Sequence, residues 1–180
     1  MTTAQDGDVP RVETGRLVLR GWTEADIAPH AELCADPDVM SYLGGTRDAR
    51  QAWRGVAFAI GHWSLRGFGL WVVERRDEPG FLGRVGLLYP EGWPGIEVAW
   101  TLARQAWGHG YATEAARAAI DWAWRELDAA RLISLIDVGN DRSTAVAERL
   151  GMSFDRRETI DGDPTDVYEI KRPTASDRLG

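Results

Sequence analysis

The sequence predicts one mixed α/β domain, in which helices flank a central, twisted, mostly antiparallel sheet with a parallel portion in its middle. The 180-residue length suits a single core. The hydrophobic fraction of 44% and the charged fraction of 27% are ordinary for a folded globular protein. Segments rich in residues that favour β-strands also alternate along the chain with segments whose apolar residues have helical spacing. We therefore expect a domain over residues 13–171, with flexible tails at 1–12 and 172–180.

The first elements are a strand and a helix. Residues 16–22 alternate apolar and polar side chains, which is typical of a strand. Thr23 to Asp26 then provide capping groups for a helix over about 25–34. Pro37 and the Gly44-Gly45 pair are expected to break the pattern.

A second helix is predicted over about 47–65, because apolar residues recur there at spacings of three and four. Gly67 and Gly69 are expected to end it. The residues expected on its apolar face are Trp53, Val56, Ala57, Ile60 and Trp63.

Three strands follow. Residues 69–74 and 81–88 are predicted to form a hairpin around Pro79-Gly80. The third strand covers 95–102, where Glu97, Ala99 and Thr101 share one face and Ile96, Val98, Trp100 and Leu102 share the other. Glu97 is therefore expected on a rigid element.

The second half of the chain alternates helices with strands. A helix from about 112 to 127 carries alanines on one face, and these small side chains would let it sit close to a sheet. The remaining elements are a buried strand at 132–138, a short helix at 142–150 that stops at Gly151, and a closing hairpin of 154–160 with 167–171.

Composition excludes several classes of function. A formal charge of −7 disfavours nucleic-acid binding and favours a cationic acceptor such as an amine. Cys34 is the single cysteine, so we expect no internal disulfide and no cysteine-based zinc cluster. The polar, acidic beginning of the chain and the lack of a long apolar run indicate a cytoplasmic protein without membrane partners.

The most informative segment is Trp107-Gly-His-Gly-Tyr-Ala-Thr113, which joins a predicted strand to a predicted helix. Glycines at 108 and 110 would let several backbone N–H groups converge on an anion, and the helix dipole would add to the attraction. A nucleotide-triphosphate loop would have Lys followed by Ser or Thr at the helix start, where this chain has Ala112 and Thr113. A dinucleotide fingerprint also fits poorly, because its third glycine is missing.

The segment Trp107 to Ala115 resembles the acetyl-CoA loop of the GNAT acetyltransferases, especially of the branch of ribosomal-protein N-terminal acetyltransferases. Glu13-Thr-Gly-Arg-Leu-Val-Leu-Arg20 is similar to the first strand of that branch. Asn140-Asp-Arg-Ser143, followed by Ala147-Glu-Arg-Leu-Gly151, resembles its later cofactor motif. The resemblance implies a single-domain GNAT-like fold and acetyl-CoA as acyl donor, without a metal.

The family pattern, Gln or Arg followed by two residues, Gly, one residue and Gly or Ala, fits the chain in two registers. One runs from Gln105 to Gly110. The other starts at Trp107, has Gly110 fourth and ends at Ala112; we prefer it because it aligns the helix start. The resemblance then implies that the backbone of Trp100, Thr101 and Leu102 pairs with the pantetheine arm, and that Asn140 and Ser143 flank the arm or the sulfur. The residues implied at the phosphates are Trp107, Gly108, His109, Gly110, Tyr111, Ala112 and Thr113.

Glu97 and Ser143 are the candidate catalytic residues. An ammonium acceptor must lose a proton before it attacks a thioester, and Glu97 matches an acidic position of the branch. The plain alternative is a solvated strand glutamate. Many family members use a Tyr as the acid at the position of Ala147, so Ser143 is the candidate here, although a serine near a helix start is often a cap.

The sequence leaves the acceptor open between a protein N-terminus and a small-molecule amine. The missing tyrosine and the replaced Arg or Gln also keep open a noncatalytic acyl-CoA-binding module or sensor. A longer acyl chain would need more room than bulky Trp100 suggests. Exposed terminal strands and nine tryptophans predict a homodimer.

Overall fold

The structure, a computed structural model, describes residues 9–174. In this part of the chain an 8-stranded sheet has the order β1-β2-β3-β4-β5-β6-β8-β7. The predicted α/β class with a mostly antiparallel sheet is therefore confirmed. The strands are β1 (Val12–Glu13), β2 (Leu17–Arg20), β3 (Leu70–Arg75), β4 (Gly83–Leu88), β5 (Glu97–Leu102), β6 (Arg131–Asp137), β7 (Ser153–Ile160) and β8 (Asp163–Lys171).

The parallel portion is the pair of β5 and β6, in the middle of the sheet. The other neighbouring strands run antiparallel. β5 and β6 share one paired position, Glu97 opposite Ile133. Beyond Glu97 they separate, so the backbone of β5 up to Leu102 forms no ladder with β6. This separation opens the sheet on the carboxyl-terminal side of Glu97.

The helices cover both faces of the sheet. A 3₁₀ turn at Glu24–Asp26 leads into the first helix. Pro37 was expected to break helical structure, but it occupies the first turn of a second short helix, because the Asp36 side chain accepts a hydrogen bond from the Asp38 N–H. The helices are α1 (Ile27–Ala35), α2 (Pro37–Met40), α3 (Ala49–Arg66), α4 (Tyr111–Glu126) and α5 (Asp141–Arg149).

The buried face of α3 differs from the predicted one. Trp53 and Ile60 remain 55% and 51% exposed. The residues that α3 buries are Ala52, Val56, Ala59, His62 and Trp63. Spacings of three and four fit several overlapping stripes on one helix. The packing of Ala52 against α1 and α2, and of Ala59 against Val72 of the sheet, selects the stripe that contains these two alanines.

The largest core lies between α4 and the sheet. Ala116, Ala119 and Ala123 are fully buried there, as the small-residue face predicted. Trp63, Trp71 and Trp122 pack edge to face, with ring centroids 4.8 to 5.9 Å apart. These contacts account for several of the tryptophans, since such pairs bury large apolar areas in a favourable geometry.

Ordered contacts extend into both predicted tails, and on the N-terminal side the Pro10 carbonyl accepts a hydrogen bond from the Trp71 indole at 2.7 Å. Val12 pairs with Leu19 in the sheet, and the Arg172 N–H donates to the Ala130 carbonyl at 2.9 Å. The rest of the two predicted tails, residues 1–8 and 175–180, lies outside the described residues. None of the helices between residues 9 and 174 combines the length and apolarity needed to cross a membrane.

Candidate functional site

A cavity of about 970 Å³ opens where β5 and β6 separate. Its walls come from β5, the glycine loop, α4 and α5, and the segment around α2. It brings together almost every residue that the sequence assigned to the cofactor: Trp100, Thr101, Leu102, Trp107, Gly108, Gly110, Tyr111, Ala112, Thr113, Asn140 and Ser143. The two predicted site residues that do not line it are Glu97 and His109.

The glycine loop has the conformation that the anion-site hypothesis requires. Gly108 and Gly110 have φ angles of 78° and 76°, in the left-handed region that favours glycine. Gly110 is the N-cap of α4, and the first intrahelical bond runs from the Glu114 N–H to its carbonyl. The amides that precede this bond have no partner within the helix, so they and the helix dipole favour an anion. A helix start at Tyr111 agrees with the register that begins at Trp107.

The N-terminal motif holds this loop in place. The Glu114 carboxylate accepts hydrogen bonds from the Thr14 hydroxyl at 2.5 Å and from the Arg16 backbone N–H and Nε at 3.0 and 2.7 Å. Desolvation acts to raise the pKa of Glu114, but these bonds outweigh it and lower the pKa. Arg16 also donates to the His109 carbonyl at 2.9 Å. Residues nearly one hundred positions apart thus fix the loop.

His109 projects from the loop rather than into the cavity. Its exposed ring stacks on that of Tyr111, with centroids 5.3 Å apart. The ring is therefore exposed in this structure, whereas the resemblance implied a place for His109 at the phosphates.

Three arginines that sequence reasoning missed line the cavity: Arg117, Arg142 and Arg149. None forms an ion pair with a carboxylate among residues 9–174. The Arg142 guanidinium lies 4.1 Å from the centroid of the Trp107 ring, a cation–π contact that positions it beside the glycine loop. Arg142 of α5 thus brings a guanidinium next to Trp107, the residue that occupies the Arg or Gln position in the register preferred from the sequence. The net charge of −7 concealed this basic cluster.

Glu97 is buried, with 8% of its surface exposed, so the solvated-glutamate alternative is wrong. Its carboxylate accepts a hydrogen bond from the Trp93 indole at 2.7 Å and another from the Leu135 backbone N–H. Burial raises the pKa of Glu97 to about 7, and the hydrogen bonds only partly oppose that effect. A carboxyl group that titrates near neutrality can take up a proton from a substrate and release it again.

Ser143 and Asn140 occupy the first turn of α5. Asn140 is the N-cap, because its side chain accepts from the Ser143 N–H at 3.2 Å. Ser143 is therefore not the cap, and its hydroxyl has no hydrogen bond within the described chain. Ala147, at the position of the family tyrosine, is fully buried.

A tyrosine enters the same cavity from a different element. Tyr42 follows α2, and its hydroxyl donates to the Gly139 carbonyl at 2.9 Å, next to Asn140. Sequence spacing offered no signal for this contact, because the two residues lie 97 positions apart.

Metal ligands do not gather at the site. Within the described part of the chain, no three His, Cys, Asp or Glu side chains are grouped so that they could hold a metal ion.

Comparison with known proteins gives consistent relationships. Residues 16–153 match the acetyltransferase (GNAT) domain family. The uncharacterized protein YkkB of Bacillus subtilis (strain 168) is 36% identical over 169 residues, which cover 89% of this chain and 95% of that protein. The match to the family spans well over half of the chain.

Solved structures share the fold. An acetyltransferase from Agrobacterium tumefaciens str. C58 superposes with a TM-score of 0.84 at 28% identity, covering 96% of this chain and 100% of that one. RimL, a ribosomal L7/L12 alpha-N-protein acetyltransferase solved in complex with coenzyme A, superposes with a TM-score of 0.73 at 18% identity, covering 90% and 98%. The fold, the family match and the relatives agree: this chain belongs to the GNAT acetyltransferase family and is an acyltransferase enzyme.

Proposed function

We propose that the enzyme transfers acetyl from acetyl-CoA to a primary amine by direct attack of the amine on the thioester. The observation that carries this proposal is Glu97, a buried carboxyl with a pKa of about 7 on the strand where the sheet opens. A base near neutrality, held on the same rigid strand that lines the cavity at Trp100–Leu102, suits the deprotonation of an amine.

The cavity fits acetyl-CoA as donor. The edge of Trp100–Leu102 that faces away from β4 is not paired with β6, so its backbone polar groups can pair with the amides of a pantetheine arm, although the Leu102 carbonyl also accepts from the Trp107 indole at 2.9 Å. The amides at the start of α4 and the guanidinium of Arg142 suit the phosphates. The coenzyme A complex of RimL, which shares the fold, supports the same ligand here. When bound, acetyl-CoA supplies an activated acyl group.

Each candidate residue has a role in moving the protons of the reaction. As the amine nitrogen bonds to the acyl carbon and the carbon–sulfur bond breaks, Glu97 takes the proton that the amine loses, directly or through a water. The sulfur leaves as a thiolate, and Ser143, whose hydroxyl faces the cavity without a partner among residues 9–174, relays a proton to it.

The observations that suggested a noncatalytic acyl-CoA sensor are now weaker. That alternative depended on the missing arginine at position 107 and the missing tyrosine at 147. Arg142 and Tyr42 bring a guanidinium and a phenol to the same cavity from other elements.

A turnover assay tests the proposal. The purified chain is incubated with acetyl-CoA and a panel of amines that includes peptides and small molecules, and free thiol is followed together with the mass of the acceptor. We expect thiol release that depends on the acceptor. The mass of the acceptor should rise by about 42 Da, because an acetyl group replaces a hydrogen atom. Tight binding of coenzyme A without acceptor-dependent thiol release favours the sensor and overturns the proposal. The homodimer and the cytoplasmic location stay predictions, and light scattering at several concentrations tests the first.

Arg142→Gln is expected to raise the KM for acetyl-CoA about 10-fold while kcat stays within about twofold, because it removes one charged hydrogen-bond donor from the phosphate end. The effect should shrink as salt is added, since the site is exposed. Arg157→Gln, which removes an arginine paired with Asp166 on the distant β7–β8 hairpin, is the matched control. An unchanged KM, or a fall in kcat alone, would contradict the role of Arg142.

Ser143→Ala is expected to lower kcat about 10-fold with little change in KM, because a thiolate is a good leaving group and needs only modest help from an acid. Tyr42→Phe is the comparison, since its hydroxyl lines the same cavity but already donates to Gly139. A larger loss in Tyr42→Phe than in Ser143→Ala would transfer the acid role to the phenol.

A further inference from the structure

Two arginines, Arg84 and Arg47, lie near each other and form no ion pair with a carboxylate among residues 9–174. Arg84, on β4, is only partly exposed, yet its guanidinium has no hydrogen bond or ion pair to any residue between 9 and 174. The guanidinium of Arg47, just before α3, donates only to the Leu43 carbonyl, at 3.3 Å, among residues 9–174. Burial lowers the pKa of Arg84, and the positive charge of Arg47 acts in the same direction. Two neighbouring cations thus share no compensating anion at ion-pair distance.

The same row of the sheet contains a contrasting arginine. Arg20 lies opposite Val72, which in turn lies opposite Arg84. Arg20 is also partly buried, but it pairs with Asp26 at 2.8 Å and with Glu74 at 2.9 Å. Removing a guanidinium from water without a partner is unfavourable, so the uncompensated charge of Arg84 favours binding of an anion.

The position of Arg84 relates it to the proposed base. Along β4 and β5, Arg84 lies opposite Thr101, Gly86 opposite Ala99, and Leu88 opposite Glu97, so all six share one face. Thr101 also lines the cavity. From strand geometry, the Cα atoms of Arg84 and Glu97 are about 14 Å apart. Both side chains are long, and their charges interact.

Two small residues lie between these side chains on the same face of the sheet. Gly86 has no side chain, and Ala99, which is partly exposed, has a single methyl group. This face of the sheet therefore carries a carboxyl group and a guanidinium, with only two small residues between them along the two strands. A compact molecule with an amine at one end and an anion a few bonds away matches this arrangement of charges.

His30 and Cys34, two buried titratable groups near these arginines, do not supply the missing negative charge. His30 is almost fully buried on α1, and its Nδ1 has no hydrogen-bond partner in the described chain. Burial, followed by the charges of Arg84 and Arg47, lowers the pKa of His30 to about 4. The nearby Cys34 thiol is also buried, and burial raises its pKa. Neither group is an anion near neutrality, so neither compensates the arginines.

We propose that the acceptor is a small amine that carries a carboxylate, and that Arg84, assisted by Arg47, binds this carboxylate while the amine lies beside Glu97. The inference rests on the proposed acetyl transfer and narrows its acceptor. A guanidinium offers two parallel N–H donors to a carboxylate, which fixes both the position and the orientation of the ligand.

Matched pairs of acceptors test the inference on the unmodified enzyme: free amino acids against their carboxamides. The carboxylate raises the pKa of the neighbouring amine, so less of the reactive neutral amine is present. Without a carboxylate site, the amide should therefore be the better substrate. We expect the opposite, with kcat/KM for the preferred acid about 10-fold or more above that for its amide.

Variants then locate the preference. Arg84→Gln is expected to raise the KM for the acid about 10- to 100-fold and to change the KM for the amide by no more than about threefold. Arg84→Lys should retain part of the preference for the acid. Arg47→Gln should raise the KM for the acid by a smaller factor. Arg157→Gln is the control, and an unchanged affinity for coenzyme A shows that a variant is folded. Because the comparison of acid with amide uses the unmodified protein, it stands even if Arg84→Gln fails to fold.

The outcomes separate the two proposals. If no amine of either kind releases thiol from acetyl-CoA, the proposed function fails. If acids and amides react but the amides are preferred, or if Arg84→Gln keeps the preference for acids, acetyl transfer stands and the carboxylate site is wrong. A preference for amines that carry phosphate over those that carry carboxylate would also overturn the assignment.

Discussion

Glu97→Gln is expected to lower kcat/KM for the amine about 100- to 10,000-fold, the range that a positioned general base contributes. The substitution preserves shape, and the glutamine oxygen can still accept from the Trp93 indole, so the loss reports the missing base rather than a collapsed site. Binding of coenzyme A should change little, because Glu97 does not line the cavity.

The pH profile provides the sharper measurement of this effect. Burial raises the pKa of Glu97 to about 7, and the base acts only when it is ionised, so kcat/KM of the unmodified enzyme should rise as pH passes through about 7. That limb should disappear in Glu97→Gln, while a limb due to the amine itself remains at higher pH. A variant that keeps full activity across the pH range would exclude Glu97 as the base.

The same substitution, which lowers activity, is expected to raise stability relative to the unmodified protein as pH rises. The pKa of Glu97 is about 7 in the folded protein, against an ordinary value of 4.5. Between these values the folded protein retains a proton that the unfolded chain has lost, so the free energy of unfolding falls as pH rises. The full decrease amounts to roughly 3 kcal/mol and is complete above about pH 7. Below about pH 4.5 this cost is absent.

Chemical denaturation at pH 5 and pH 8 measures this decrease. Glu97→Gln cannot ionise, so its free energy of unfolding should lack this component, and the variant should gain on the unmodified protein as pH rises. Glu24→Gln, which removes an exposed glutamate, is the matched control and should follow the unmodified protein. Identical pH dependence in Glu97→Gln and the unmodified protein would mean that burial does not perturb this carboxyl. Together the two results would describe a group that costs stability and serves catalysis.

The order of helices and strands was predictable from sequence because it depends on local signals. Alternation, helical spacing, caps and glycines act within a few residues, so the strand with Glu97, the glycine loop and the helix after it were located within a few positions. The resemblance to GNAT proteins was also readable in such short segments. Even here the buried face of α3 was predicted only in part: Val56 and Trp63 are buried, but Trp53, Ala57 and Ile60 are exposed, because several stripes satisfy the same spacing.

Sequence alone therefore determined the class of fold, the loop suited to a phosphate-bearing donor and the candidate base. Tertiary structure decided the rest: that Arg16 fixes the loop through Glu114, that Arg142 stacks on Trp107, and that Arg84 faces the base without a partner. It also decided the pKa of Glu97, which follows from burial between strands that meet only in the folded chain. The physical reason is that desolvation and charge interactions depend on distance in space, and neighbours in space can be a hundred residues apart in sequence.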